Sequence, residues 1–347
     1  MRIFRTIFST CIATALAAAL VATTGGSAVA AAPTLAAVKK RGEVICGING
    51  ELPGFSAPDE KNEMAGIAVD LCRAIAAATL GNAAKVKLVP VTTTNRFDML
   101  RSGNLDLLFR NTIPTLERVV KTGVRDAAIY YLDGQAVAVP KRLGIASLAQ
   151  LGGRRFCILS NTPYERNLRD WFRFRKLEFT TVVLDNQKDL YAAFFDGKCD
   201  AVTQQVTSLS TTIIASGKAS EYIVLPEIVA NNPHAAFVRA GDDEWFDVVR
   251  WSINALMDAE QRGITQANVD SQIQTGADSV KRLLGAPSDD GKLLGLDGRW
   301  AYNEIKQVGN YSEIFERNLG QSSRWKFPRG VNALWTNGGV LHSLPLR

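Results

Sequence analysis

The stretch GIAVDLCRAIAAATLG, residues 66–81, lies between two short β-type runs, EVICGI (43–48) and KVKLVPV (85–91). Within it Ile67, Leu71, Ala74 and Ile75 recur at the spacing of one helical face, and Gly81 stands where such a helix stops. NRFDMLRSG (95–103) reads as a second helix ending at Gly103, and LDLLF (105–109) as the strand after it. A β-α-β-α-β order of this kind implies a mainly parallel sheet with helices on both faces.

The same order repeats from about residue 138. RRFCILS (154–160), FTTVVL (179–184) and CDAVTQ (199–204) read as strands; TPYERNLRDWFRFRK (162–176) and NQKDLYAAFFDG (186–197) read as the helices between them. Thr162-Pro163-Tyr164-Glu165 has the pattern of a capping box with Pro at the first helical position, so that helix is expected to begin at Thr162. Its free N–H groups suit a ligand carboxylate, although the sequence alone favours their being satisfied by water and Glu165. DEWFDVVRWSINALMDAEQRGI (243–264) is a long amphipathic helix, with further helix to about Leu284.

Residues 1–30, MRIFRTIFSTCIATALAAALVATTGGSAVA, pass from a basic start through an Ala/Leu-rich run to Ala28-Val29-Ala30, the pattern of a secretory signal peptide cut near Ala30. An uncleaved anchor is the alternative, but Thr and Gly break the run before the ~20 apolar residues a spanning helix needs. The rest of the chain has ordinary globular composition, 46% hydrophobic and 21% charged overall. At somewhat over three hundred residues it is too long for one compact core and suggests two lobes. Without Arg2 and Arg5 the formal charge falls from +6 to +4, too mild and dispersed for a nucleic-acid partner.

Apart from Cys11, four cysteines remain, an even number that fits an oxidising compartment. Three pairings are possible. Clustering in sequence favours Cys46 with Cys72 and Cys157 with Cys199, one bridge per lobe. A zinc site is disfavoured, since no Cys-x-x-Cys occurs and the histidines are only His234 and His342. No metal and no cofactor is expected: there is no G-x-G-x-x-G after a strand, no phosphate-binding G-x-x-x-x-G-K-[ST] and no G-x-S-x-G elbow.

Two similar α/β lobes, an export signal and no catalytic signature point to a protein that binds a solute in a cleft and closes by hinge motion. The chain resembles the periplasmic general L-amino-acid-binding proteins of ABC importers, which have the type II periplasmic-binding fold. The likeness is carried by LAAVKKRGEVICGI (35–48), GIAVDLCRAIAAA (66–78), DGQAVAVPK (133–141), VLPEIV (224–229), residues 242–270, and WAYNEIKQVGNYSEIFERNLG (300–320) with RGVNALWTNGG (329–339). It implies lobe 1 over 33–136 and 234–299, lobe 2 over 137–233, and a C-terminal extension, 300–347, packed on lobe 1. It also implies a monomer that captures a small carboxylate-bearing solute and delivers it to an inner-membrane permease.

For an α-amino acid, the carboxylate wants a guanidinium with backbone N–H groups, and the ammonium wants a buried carboxylate. In the family, a stretch similar to FRNTIPTLER (109–118) ends in the arginine that grips the ligand carboxylate, which implies that role for Arg118, with Asn111 in the same site. The resemblance also locates departures. The family's assisting Thr is here Ile113, its Trp is Pro114, and the Asp that meets the ammonium is Gln205. A Thr-Gly-Thr anion loop is replaced by Ser160-Asn161-Thr162-Pro163. These changes suggest either a ligand that is not a standard α-amino acid, or an ammonium met elsewhere, with Glu51 in the loop NGELPGF (49–55) as replacement. Glu51 is equally readable as a solvated loop residue, and Phe55 either as a ligand contact or as core. No catalytic residue is expected. A dehydratase-like enzyme on the same fold would need Glu51 or Glu165 as its acid, and a ligand sensor for a membrane signalling protein is a further alternative.

Overall fold

The computed structural model describes residues 33–286 and 290–346. The expected signal peptide lies outside them. The chain forms eleven strands among the described residues: β1 (Val44–Ile48), β2 (Ala57–Pro58), β3 (Met64–Ala65), β4 (Val86–Pro90), β5 (Leu107–Thr112), β6 (Val124–Pro140), β7 (Arg155–Leu159), β8 (Thr180–Leu184), β9 (Ala201–Gln205), β10 (Tyr222–Val224) and β11 (Ala230–Arg239). The helices are α1 (Thr34–Arg41), α2 (Ile67–Leu80), α3 (Arg96–Arg101), α4 (Leu116–Lys121), α5 (Tyr164–Phe174), α6 (Gln187–Phe195), α7 (Val206–Ala215), α8 (Asp243–Gln261), α9 (Val269–Thr275), α10 (Asp278–Leu283), α11 (Trp300–Val308) and α12 (Tyr311–Asn318).

One sheet runs through the molecule in the order β4-β1-β5-β11-β6-β9-β7-β8, with β10 also paired to β6. Each end is a parallel block, β4-β1-β5 on one side and β9-β7-β8 on the other. Between them β11 and β6 run antiparallel to their neighbours. The fold is the expected two-lobed α/β one, with two crossing strands joining parallel blocks. β6, at 17 residues, serves both halves: Val124–Gln135 pairs with β11 and Gln135–Ala138 with β9. Register shifts in β11 at His234/Ala235 let the strand bend where it crosses.

The bridges Cys46–Cys72 and Cys157–Cys199 are formed, as the clustering favours. The first ties β1 to α2, the second ties β7 to the turn before β9. Twelve of the fourteen residues of α2 are buried. Its inner face meets β1 and β5, and its outer face is covered by α11, α12 and α8. A helix rich in Ala allows that close approach from both sides.

Apolar side chains separate largely by half, with Ile113, just after β5, packing in a cluster of the second half. Ile48, Phe55, Leu71, Tyr130, Trp245, Trp300, Tyr311 and Phe315 share one cluster, while Phe156, Leu168, Phe172 and Phe194 lie in clusters of the other half. Tyr311 donates its hydroxyl hydrogen to the Tyr130 carbonyl, and Asp70 accepts from Arg317 (2.7 Å) and Asn318 (2.6 Å). The segment after residue 300 is thereby part of the first half's core.

Candidate functional site: an arginine-lined cavity between the halves

Strand β5 ends because Pro114 has no N–H for the ladder. Thr115 then caps α4, its hydroxyl accepting from the Arg118 N–H at 3.3 Å, and Arg118 falls on the first turn of that helix. Its guanidinium donates to the Ile113 carbonyl (2.9 Å) and, across the gap, to the Asn161 carbonyl (2.8 Å).

Two more arginines converge on the same place. Arg96, at the start of α3, donates to the Asn161 carbonyl at 3.2 Å, and Arg110, on β5, donates to the Val91 carbonyl at 2.6 Å. They are only 2% and 7% exposed. All three line one cavity with about 30 Å³ of free space, together with Asn111, Ile113, Thr162, Tyr164 and Gln205. Room for a water or two is not room for an amino acid, so uptake of a solute requires the halves to part. Outward the cavity continues into an open groove of about 460 Å³ that shares Arg96, Arg118 and Thr162 with it.

The three cations have no carboxylate within ion-pair distance among the described residues. Burial pushes Arg110 down to about 10, with repulsion from Arg118 adding to it. Burial, then the charges of Arg118 and Arg110, hold Arg96 well below its ordinary value, and burial lowers Arg118 too. The Arg96 Nε and the side-chain Nε2 atoms of Gln187 and Gln204 are buried donors without a partner, and Asn111 Oδ1 is a buried acceptor without one. Buried polar groups ordinarily find partners, and an isolated buried charge costs several kcal/mol, so this lining carries unmet capacity for hydrogen bonds, most of it on donors.

Of the residues expected from sequence, Arg118, Asn111, Ile113, Thr162 and Gln205 line the cavity. Gln205 is held at both ends, its Nε2 donating to the Asn111 carbonyl (3.2 Å) and its Oε1 accepting from Ser208 (3.1 Å). Asn161 borders the outer groove, with φ 54°. Glu51 is exposed and does not line the cavity; its charge nevertheless favours the protonated form of Arg110. Phe55 is core, 5.1 Å from the Tyr131 ring and 5.3 Å from that of His234.

The capping box expected at Thr162 does not form. The Thr162 hydroxyl donates back to the Leu159 carbonyl (2.6 Å), no side chain caps α5, and the helix begins at Tyr164. The pattern fails because the loop turns on the left-handed Asn161, which directs Thr162 toward β7, while Glu165 pairs with Arg169 at 2.5 Å.

Sequence reasoning missed Arg96, Arg110, Gln187 and Gln204. The signal for Arg110 was present: an arginine following the apolar run LDLLF is out of place unless its charge has a use. No group of three or more His, Cys, Asp or Glu among the described residues is placed to hold a metal ion.

Known proteins resemble this chain in sequence and in fold. The family model for bacterial extracellular solute-binding proteins, family 3, matches residues 44–270. The general L-amino acid-binding periplasmic protein AapJ of Rhizobium johnstonii is 43% identical over 93% of this chain and 95% of its own length. The glutamate/glutamine/aspartate/asparagine-binding protein BztA of Rhodobacter capsulatus is 40% identical over 92% and 94%. Among solved structures, an ABC transporter periplasmic binding protein from Brucella ovis with glutathione bound superposes with a TM-score of 0.88 at 43% identity, covering 91% of this chain and all of that one. With the family model spanning well over half its length and relatives of 40% identity or more matched over nearly their full length, the chain belongs to the bacterial extracellular solute-binding proteins, family 3.

Proposed function

We propose that the protein is the periplasmic solute-binding component of an ABC importer of the amino-acid class, and that it captures a small carboxylate-bearing solute in the cavity between the two halves. The observation that carries this is the convergence of Arg96, Arg110 and Arg118 on one cavity whose walls come from both halves, with Arg118 bonded across it to Asn161. The amino-acid binders among the relatives and the glutathione-bound Brucella protein support the class. The halves correspond to lobes of 33–136 with 234–299 and of 137–233, and residues 300–346 share the first lobe's core. Arg118 is the carboxylate clamp, with backbone and side chains of Asn111, Thr162 and Gln205 around the rest of the solute.

Binding without turnover is favoured over the dehydratase-like alternative because no carboxylate among the described residues lines the cavity. Glu51 lies outside it, and Glu165 is paired with Arg169. Partners are the solute and an inner-membrane permease, and the binding component acts as a monomer. A thermal-shift screen of the mature protein tests this, since a ligand that binds only the folded state raises the melting temperature. Carboxylate-bearing solutes raise it and neutral sugars do not; the absence of any shift with carboxylates contradicts the reading.

A further inference from the structure

The cavity's balance of charge specifies more than a carboxylate. Three guanidiniums line it, and among the described residues its only other ionisable side chain is the buried phenol of Tyr164. An α-amino acid with one carboxylate would offset one of three positive charges and add a fourth, its ammonium, beside the rest. The lining gives that ammonium no anion. Gln205 Oε1 is taken by Ser208, and the acceptors left for the ammonium are neutral side-chain amides, Asn111 Oδ1 among them, and not a carboxylate.

The unpartnered donors sit on opposite walls. Arg96 Nε belongs to the first half, at the start of α3; Gln187 Nε2 and Gln204 Nε2 belong to the second, on α6 and β9. These side chains are 2%, 6% and 2% exposed, so bulk solvent does not reach them freely. A solute that satisfies both walls carries acceptor oxygens at both ends. Ile113, Leu52 and Leu159 supply apolar surface for the carbon skeleton between them.

We propose that the solute is a small di- or tricarboxylate without an ammonium group, one carboxylate held by Arg118 and Arg96 and a second facing Arg110, Gln187 and Gln204. This rests on the reading of the cavity as the solute site. The lowered proton affinity of the three arginines fits the same picture: bringing a dianion between them removes the mutual repulsion that now burdens the site.

The test is calorimetric titration of the mature protein with matched acids that differ at the amino group: succinate against aspartate, and 2-oxoglutarate against glutamate. In at least one pair the acid lacking the ammonium binds tenfold or more tighter than its amino partner. The variant Gln205→Asp, which places a carboxylate on the cavity wall, narrows or reverses that ratio; where it does not fold, Gln204→Glu serves the same purpose. Aspartate or glutamate binding as tightly as or tighter than its partner overturns the inference and leaves the solute-receptor reading standing. A ratio that Gln205→Asp leaves unchanged overturns it too. Wild-type protein that binds none of these acids, and no other carboxylate, overturns both.

Discussion

The Arg118 guanidinium donates to the Asn161 carbonyl at 2.8 Å, so a charge carried by α4 of the first half is held by the backbone of the second. Arg96 donates to the same oxygen at 3.2 Å. One carbonyl thus draws a buried cation, Arg96, and a half-buried one, Arg118, toward the same point of the gap, where no carboxylate among the described residues pairs with them.

Arg96 bears the cost of this arrangement most directly, being buried, missing a partner for Nε, and repelled by Arg110 and Arg118. Arg96→Gln is expected to stabilise the protein measured without solute by about 1–2 kcal/mol, because removing an unpaired buried charge is often favourable. Differential scanning calorimetry would show the melting temperature rising by a few degrees. The same variant is expected to lose tenfold or more in carboxylate affinity. A fall in melting temperature contradicts the account of an uncompensated cluster.

His234 is buried among Phe55, Tyr130 and Tyr131, its Nδ1 accepting from Asn111 Nδ2 at 3.2 Å. Burial pushes it down to about 3. The unfolded chain takes up this proton near pH 6.5 and the folded one does not, so this residue costs stability as pH falls from about 6.5 toward 3. Between pH 6.5 and 5 the loss attributable to it is on the order of 2 kcal/mol. Urea denaturation of wild type and His234→Phe at the two pH values checks this: the variant loses less on acidification, and equal losses contradict it.

Cys157–Cys199 spans 42 residues and Cys46–Cys72 spans 26. Replacing both cysteines of either pair by Ser is expected to cost roughly 3–4 kcal/mol through the freed unfolded chain, slightly more for the longer loop. Chemical denaturation under non-reducing conditions measures it. A loss below 1 kcal/mol for both pairs contradicts the structural role.

The strands and helices legible in sequence are those with a single role. β1 and β7 are short apolar runs because they lie inside the parallel blocks and are buried along most of their length, and α8 shows its stripe because one face meets water. β6 was not legible. Its 17 residues change partners from β11 to β9, so no single alternation of apolar and polar residues describes it. α2 read as amphipathic yet is buried nearly all round, because α11 arrives from more than two hundred residues away to cover its outer face. The helix start at Thr162 was misread because a hydroxyl that can cap a helix can also bond backward, as it does to Leu159. In the site, Arg118 was legible through resemblance, whereas Arg96 was not: it sits in a short helix whose other residues give no sign that this side chain turns inward.

The central claim is that Arg118 holds the solute. Isothermal titration of wild type and Arg118→Ala with the acid that gives the largest thermal shift tests it most directly. The expected result is that affinity falls by a hundredfold or more, the ~3 kcal/mol that loss of a buried charge-assisted contact removes, while the circular dichroism spectrum and cooperative melting of the variant stay those of wild type. Affinity unchanged within threefold, in a variant that folds, contradicts it.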